Sequence, residues 1–338
     1  MFWLSNVKHE LNPMNNPLLA IAVILLTSAS ALAGPTDELY KLGPDSQEQP
    51  GVPRGKLSEP IVLASKVYPN STRNYWVYTP AQYDKTKPAC LMIFQDGHAF
   101  LGLKGEYRIP YVFDNLIHRR EMPVTIAVFI NPGHGPDQPE ATDKDWGDGT
   151  TNRRVEYNAL DDKYSKLIVD ELLPELKKSY NISDNPEHRG IGGASSGAIC
   201  AWTVAWHRPD QFRKVISVIG SYTNIMGGHV WPDMIRQGEA KPIRVFIQDG
   251  RNDNRGTRKG GAYDAKWDWF AQNVKMVEAL TEKKYDMTYV FGVGSHSGKH
   301  GGSIMPEMLR WIWRDHSKGQ DPMDPAIKTP LGAETAGK

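Results

Sequence analysis

The chain has 338 residues, 40% of them hydrophobic and 23% charged, with a formal net charge of +1. That length and apolar content support a large α/β domain and exclude a globally disordered chain. The even charge balance excludes a general nucleic-acid binder, which needs a clear cationic excess.

Residues 18–26 (LLAIAVILL) form an apolar run too short for a comfortable membrane span. TSASALAG follows, with Ala31 and Ala33 in an A-x-A arrangement before Gly34. This predicts a cleaved signal peptide over 1–33 and a secreted or periplasmic protein, with no stable membrane insertion after cleavage. Lys8 is the only fully charged cation ahead of the run, translation starts at Met1 or Met14, and an uncleaved anchor is the alternative. Residues 34–60, rich in Pro, Gly and charge, read as an irregular arm or linker. Cys90 and Cys200 read as two buried free thiols.

A catalytic domain is expected over 61–317. IVLASKVY and RNYWVYTP are early strands joined by a turn at Pro69-Asn70-Ser71. CLMIFQDG and TIAVFINPG are apolar runs that end in turns, as strands buried on both faces do. A short helix at Val112–His118 separates them. Leu160, Tyr164, Leu167, Ile168, Leu172 and Leu176 fall on one face of a helix over 156–180, kinked at Pro174. A strand then leads into GIGGAS, followed by a helix over 196–207 and the strand KVISVIGS. The strand IRVFIQDG, a helix over 263–284, the strand MTYVFGVG and the helix MPEMLRWIW complete the order. Repeated strand–helix alternation predicts a mainly parallel sheet covered by helices on both faces, the α/β-hydrolase layout. Residues 318–338 read as a flexible tail.

Gly193-Ala194-Ser195-Ser196-Gly197 matches G-x-S-x-G between a strand and an apolar helix. That context is a nucleophile elbow, where a serine hydroxyl is exposed on a strained turn. Such a serine needs a base, and the base needs an orienting carboxylate, here in the chain order Ser, acid, His. Asp253 in the loop after IRVFIQDG is the expected acid, with Asp249 the runner-up nearer the strand. His296 is the first histidine after MTYVFGVG and the expected base, with His300 the runner-up. The oxyanion donors are expected from the backbone N–H of Ser196 and from Gly97 or His98 in FQDGH. His296 and His300 also make H-x-x-x-H, but the Glu of a zinc H-E-x-x-H motif is missing. The acidic loop 143–148 fails the calcium D-x-D-x-D-G spacing. No metal or cofactor is expected.

RNYWVYTPAQYD, FQDGHAF, GIGGASSGAICAW, QDGRNDNR and GSHSGKHGGSIMPEMLRWIW together resemble the enterochelin-esterase and esterase-D-like branch of the α/β hydrolases. The resemblance spans roughly residues 55–315. It implies Asp253, in Gly250-Arg251-Asn252-Asp253, as the acid, and His296, ahead of the P-x-x-L-R-W helix, as the base. It also implies a serine esterase. Cytoplasmic siderophore esterases of this branch carry an extra N-terminal domain that this chain replaces with a short arm.

The implied substrate is a small or saccharide-linked ester, either a siderophore trilactone or a feruloyl, acetyl or uronoyl ester of plant polysaccharide. Arg251, Arg255, Arg258 and Lys259 could form a cationic rim, and His229 and Trp231 a second contact loop. Two other readings stay open: acyl transfer to a sugar, and non-catalytic binding of a carbohydrate or siderophore on the same fold.

Overall fold

The computed structural model describes residues 34–142, 151–257 and 261–316. The expected signal peptide, the acidic loop 143–148, Arg258, Lys259 and the 318–338 tail lie outside the described residues. Among the described residues nine strands form one sheet: β1 (Lys56–Leu57), β2 (Ile61–Ser65), β3 (Ser71–Thr79), β4 (Cys90–Gln95), β5 (Thr125–Ile130), β6 (Arg189–Ala194), β7 (Lys214–Val218), β8 (Arg244–Asn252) and β9 (Asp286–Ser295). The order is β1-β3-β5-β4-β6-β7-β8-β9, with β2 also on β3. β5, β4, β6, β7, β8 and β9 run parallel, and β1, β2 and β3 add antiparallel pairs at one side. The sheet is therefore mixed but mainly parallel.

The helices are α1 (Gly97–Leu101), α2 (Ile109–His118), α3 (Arg153–Tyr157), α4 (Lys163–Lys166), α5 (Leu173–Ser179), α6 (Ser196–His207), α7 (Trp231–Gln237), α8 (Trp269–Glu282), α9 (Gly298–Ser303) and α10 (Met305–Ile312). One core packs α6, α7 and α8 on the sheet through Trp202, Ile235 and Leu280. The other packs α2 and α10 on the opposite face through Phe113, Leu116 and Leu309. β4, β5, β6 and β7 are buried along their whole length because both faces are covered. β3 alternates buried and half-buried positions along most of its length.

Three local expectations change. The helix expected over 156–180 starts at Lys163, after the separate α3, and runs from α4 through a π turn into α5. The π turn at Leu167–Leu172 precedes α5, where Pro174 sits at the start. Widening to a π turn accommodates a residue that has no N–H to donate. The helix expected from 263 begins only at Trp269, where the Asp268 carboxylate accepts the Ala271 N–H at 2.9 Å.

The third change concerns the 34–60 arm, which is not a free linker. It makes 3-10 turns at Pro35–Leu39 and Pro44–Ser46 and adds β1 to the sheet. Asp37 is buried and accepts the Ser295 N–H at 2.8 Å and the Ser295 hydroxyl. Tyr40 Oη accepts the Val293 N–H at 2.8 Å. The arm thus braces the end of β9. Cys90 and Cys200 are both free and buried. Burial pushes the Cys90 thiol up to about 12, and that of Cys200 well above the usual range. Neither is a nucleophile at neutral pH.

Candidate active site

Parallel strands deliver their C-terminal ends to one edge of the sheet, which is where such folds collect reactive groups. β6 ends at Ala194 and α6 begins at Ser196, so Ser195 alone makes the turn. Its φ of 55° places a non-glycine residue in the left-handed region, a strained conformation held by its surroundings. The Ser195 N–H donates to Val218 O at 2.9 Å, and its carbonyl accepts from Ala198 and Ser221 at 3.1 Å each. A Cβ on Gly193 would lie 2.5 Å from the Gly197 backbone, so strand and helix approach this closely only with glycine there.

The structure brings Ser195, His296 and Asp253 together. Ser195 Oγ lies 2.9 Å from His296 Nε2, and His296 Nδ1 lies 2.6 Å from Asp253 Oδ1. A carboxylate can only accept, so Nδ1 carries the proton and Nε2 accepts from the Ser195 hydroxyl. A register shift between Gly250 and Asn252 in β8 precedes Asp253 and turns the following loop toward the imidazole. Asp253 is 1% exposed, whereas the His296 side chain keeps 15% of its surface open.

Asp249, the runner-up acid, stands behind Asp253 rather than in its place. It is fully buried, and its Oδ1 accepts the Gly250 N–H at 2.7 Å. Burial, then the Asp253 charge, pushes its carboxyl well above the usual range. Burial raises Asp253 as well, opposed by hydrogen bonds from Asp249 and the Asn254 N–H. Asp253 Oδ1 accepts from both His296 and Asn254, so of the two carboxyls Asp249 is the one its surroundings favour in the neutral form.

His300 lies in α9, engaged away from Ser195. It is buried, takes the Gln248 side-chain amide on Nδ1 at 2.7 Å and stacks on Tyr40 at 4.1 Å between ring centroids. The expected oxyanion donors divide. Ser196 opens α6, where the first N–H groups of a helix have no intrahelical acceptor. Gly97 opens α1, and a Cβ there would meet the Phe129 backbone at 2.5 Å. The His98 N–H is already spent, donating to Asn131 Oδ1 at 3.0 Å.

The expected substrate contacts fare less well. Trp231 is a core residue, fully buried edge-on against Trp202 and Trp206, and offers nothing to a ligand. His229 lies among Asp233, Asp264, Lys266 and Lys275, and burial lowers its pKa. Arg255 is held by Asp268 at 2.9 Å, while Arg251 is exposed.

Several residues at this edge escaped sequence reasoning. Ser221 Oγ lies 3.0 Å from Ser195 Oγ and accepts from Trp269 Nε1 at 3.0 Å. Trp269 also stands edge-on to the His296 ring, with centroids 5.5 Å apart. Asp96, which precedes Gly97, is gripped by Arg153 at 2.8 and 2.7 Å through both carboxylate oxygens, and both side chains are almost wholly buried. Arg153→Met leaves Asp96 as a buried charge without this partner. It is expected to lower unfolding stability by about 3–5 kcal/mol, measured by urea denaturation. A loss below about 1 kcal/mol would show that the pair does not fix the Gly97 turn.

A cavity of ≈580 Å³ is lined in part by Tyr40, Lys41, Lys104, Glu106, Arg108 and Lys299, and by none of Ser195, His296 and Asp253. A second, of ≈590 Å³, shares Lys104 and Glu106 and reaches His98. Glu38 pairs with Lys41 at 2.9 Å and also with Lys299.

A model of the Esterase family matches residues 66–311. The Iron(III) enterobactin esterase of Escherichia coli O6:H1 is 26% identical over 230 residues, covering 66% of this chain and 51% of that protein. The enterobactin esterase of Shigella flexneri, solved in the presence of 2,3-di-hydroxy-N-benzoyl-glycine, superposes with a TM-score of 0.60 at 20% identity. That match covers 81% of this chain and 62% of that one. A ferulic acid esterase of Anaeromyces mucronatus in complex with ferulic acid gives 0.58 at 16% identity, covering 80% and 96%. This chain therefore spans about half the length of its E. coli relative. The structural likenesses speak for the fold. The family match covers most of the chain, and the chain belongs to the Esterase family of carboxylic ester hydrolases, on an α/β-hydrolase fold.

Proposed function

We propose that this chain is an exported serine esterase that cleaves carboxylic esters of hydroxylated aromatic acids. The observation that carries the reading is the contact series Ser195–His296–Asp253 at 2.9 and 2.6 Å on a strained elbow. Ser195 Oγ attacks the ester carbonyl and its proton passes to His296 Nε2. The carbonyl oxygen becomes an oxyanion against the N–H groups of Ser196 and Gly97. Collapse expels the alcohol, which takes the proton from His296. Water then enters with His296 as base and releases the acid, and Ser195 recovers its proton. Asp253 holds the imidazole and stabilises the imidazolium without taking the proton itself.

The substrate class rests on two structural neighbours, one solved in the presence of a dihydroxybenzoyl compound and one in complex with ferulic acid. A half-buried Trp269 edge-on to the His296 ring suits an aromatic acyl group. Export rests on the apolar run and A-x-A site of the sequence. Gly34 N lies 2.6 Å from Asp37 Oδ2, so an amino group freed by cleavage after Ala33 would meet a carboxylate at once.

A burst of p-nitrophenol equal to the enzyme concentration is expected from a p-nitrophenyl ester. Feruloyl and dihydroxybenzoyl esters are expected to exceed acetyl and uronoyl esters in kcat/KM. No burst sinks the acyl-enzyme, and a preference for acetyl esters sinks the aromatic class. A mature chain beginning elsewhere than Gly34, by intact mass, sinks the cleavage site.

A further inference from the structure

We propose that Ser221 donates a hydrogen bond to the nucleophile oxygen throughout turnover, with its direction set by Trp269. This rests on the serine-esterase reading above. An indole N–H can only donate, so Ser221 Oγ accepts from Trp269 Nε1 at 3.0 Å. The single hydrogen of Ser221 is then directed to Ser195 Oγ, also at 3.0 Å. Ser195 in turn gives its own hydrogen to His296 Nε2 at 2.9 Å. The hydrogen bonds from Trp269 to Asp253 all point one way, each serine hydroxyl accepting from one side and donating to the other.

The loop that carries Ser221 is built for the task. Ile219, a β-branched residue, adopts φ 43°, a conformation such residues rarely accept. Four contacts hold the loop. The Ile219 N–H donates to Gln248 O at 2.7 Å, and the Gly220 carbonyl accepts from Asn273 at 2.8 Å. The Ser221 N–H donates to Ser195 O at 3.1 Å, and Ser221 Oγ takes the indole. Strain kept by such contacts, next to the reacting oxygen, marks a functional position.

The chemistry gives the bond its use. When Ser195 Oγ gives up its proton to His296 it gains negative charge before the bond to carbon is complete. When the acyl-enzyme breaks down, the Oγ–carbon bond cleaves and the same oxygen leaves as a nascent alkoxide until His296 returns the proton. A donor fixed 3.0 Å away stabilises both moments. It also keeps the hydroxyl aimed at His296 while the pocket is empty.

Ser221→Ala is expected to lower kcat about 10-fold with KM changed less than about 2-fold, and to slow deacylation after an intact burst. Trp269→Phe keeps the ring edge against His296 but loses the donor, and is expected to cost about 3-fold in kcat. The double variant should match Ser221→Ala alone, because Trp269 acts through Ser221. Unchanged deacylation in Ser221→Ala overturns the proposal, as does a Trp269→Phe cost that adds in full to the serine cost. Where Ser221→Ala does not fold, Trp269→Phe alone decides: slower deacylation supports the bond, and an unchanged rate overturns it. A wild type without a burst overturns the esterase reading and this role together. A wild-type burst with an unaffected Ser221→Ala overturns only this role.

Discussion

Replacing Ser195 by Ala is expected to remove the p-nitrophenol burst and lower kcat by roughly 10⁶-fold, with KM almost unchanged. His296→Ala should cost about as much, and the double variant no more than either single one. The reason lies in how the two atoms share one step. With 2.9 Å between Ser195 Oγ and His296 Nε2, the hydroxyl becomes a nucleophile only as its proton leaves for the imidazole. Removing either partner removes the covalent route entirely, so the second deletion has nothing left to remove. What should survive is a slow hydrolysis about 10³–10⁴-fold above water, owed to the Ser196 and Gly97 N–H groups and to binding. Stopped-flow burst amplitudes and steady-state rates on one ester test this. If His296→Ala kept a full burst, or if the two losses multiplied, Ser195 would have to be activated by some other base.

The elements that placed these residues were legible because their signals are local. β4, β5, β7 and β8 announce themselves as apolar runs ending at turns, and parallel strands put those ends on one edge. Ser195 was legible because glycines flank it between a strand and a helix, a need imposed by contacts of 2.5 Å. Trp231 misled because a Gly-Gly-His-Val-Trp stretch reads as a loop tip, whereas the indole opens α7 and packs on Trp202. The arm at 34–60 misled for the opposite reason. Its Pro and Gly content is that of a linker, but Asp37 binds Ser295, 258 positions away, and no local pattern records such a contact. Ser221 and Trp269 are equally silent, one serine and one tryptophan among many, joined only by the return of the chain to the same edge. His300, four residues after His296 in the same glycine-rich stretch, lies in α9 and is buried, a difference that chain order alone does not record.

Asp253→Asn is expected to lower kcat about 10⁴-fold, while Asp249→Asn should cost less than about 10-fold, although the charge of each carboxyl acts on the other. The amide introduced at position 253 would turn an N–H toward His296, favour the wrong tautomer and leave Nε2 carrying the hydrogen that Ser195 must give away. An amide at position 249 still has a hydrogen to offer Asp253, as the protonated carboxyl does. The two variants also part on stability against pH. Asp249 titrates higher in the folded protein than the unfolded value of about 3.9, because burial and then the Asp253 charge disfavour its ionised form. The folded state therefore holds this proton more tightly than the unfolded chain. That stabilisation is fully present below the unfolded pKa and is lost as pH rises through the folded one. Wild-type Tm should fall from about pH 4 upward on this account, and Asp249→Asn, which cannot titrate, should fall less over the same range. Thermal unfolding of both proteins between pH 4 and 8 reads the difference directly. Parallel curves would mean that Asp249 is ionised in the fold. Asp253 would then face a second negative charge, and the neutral carboxyl behind the imidazole would have to be abandoned.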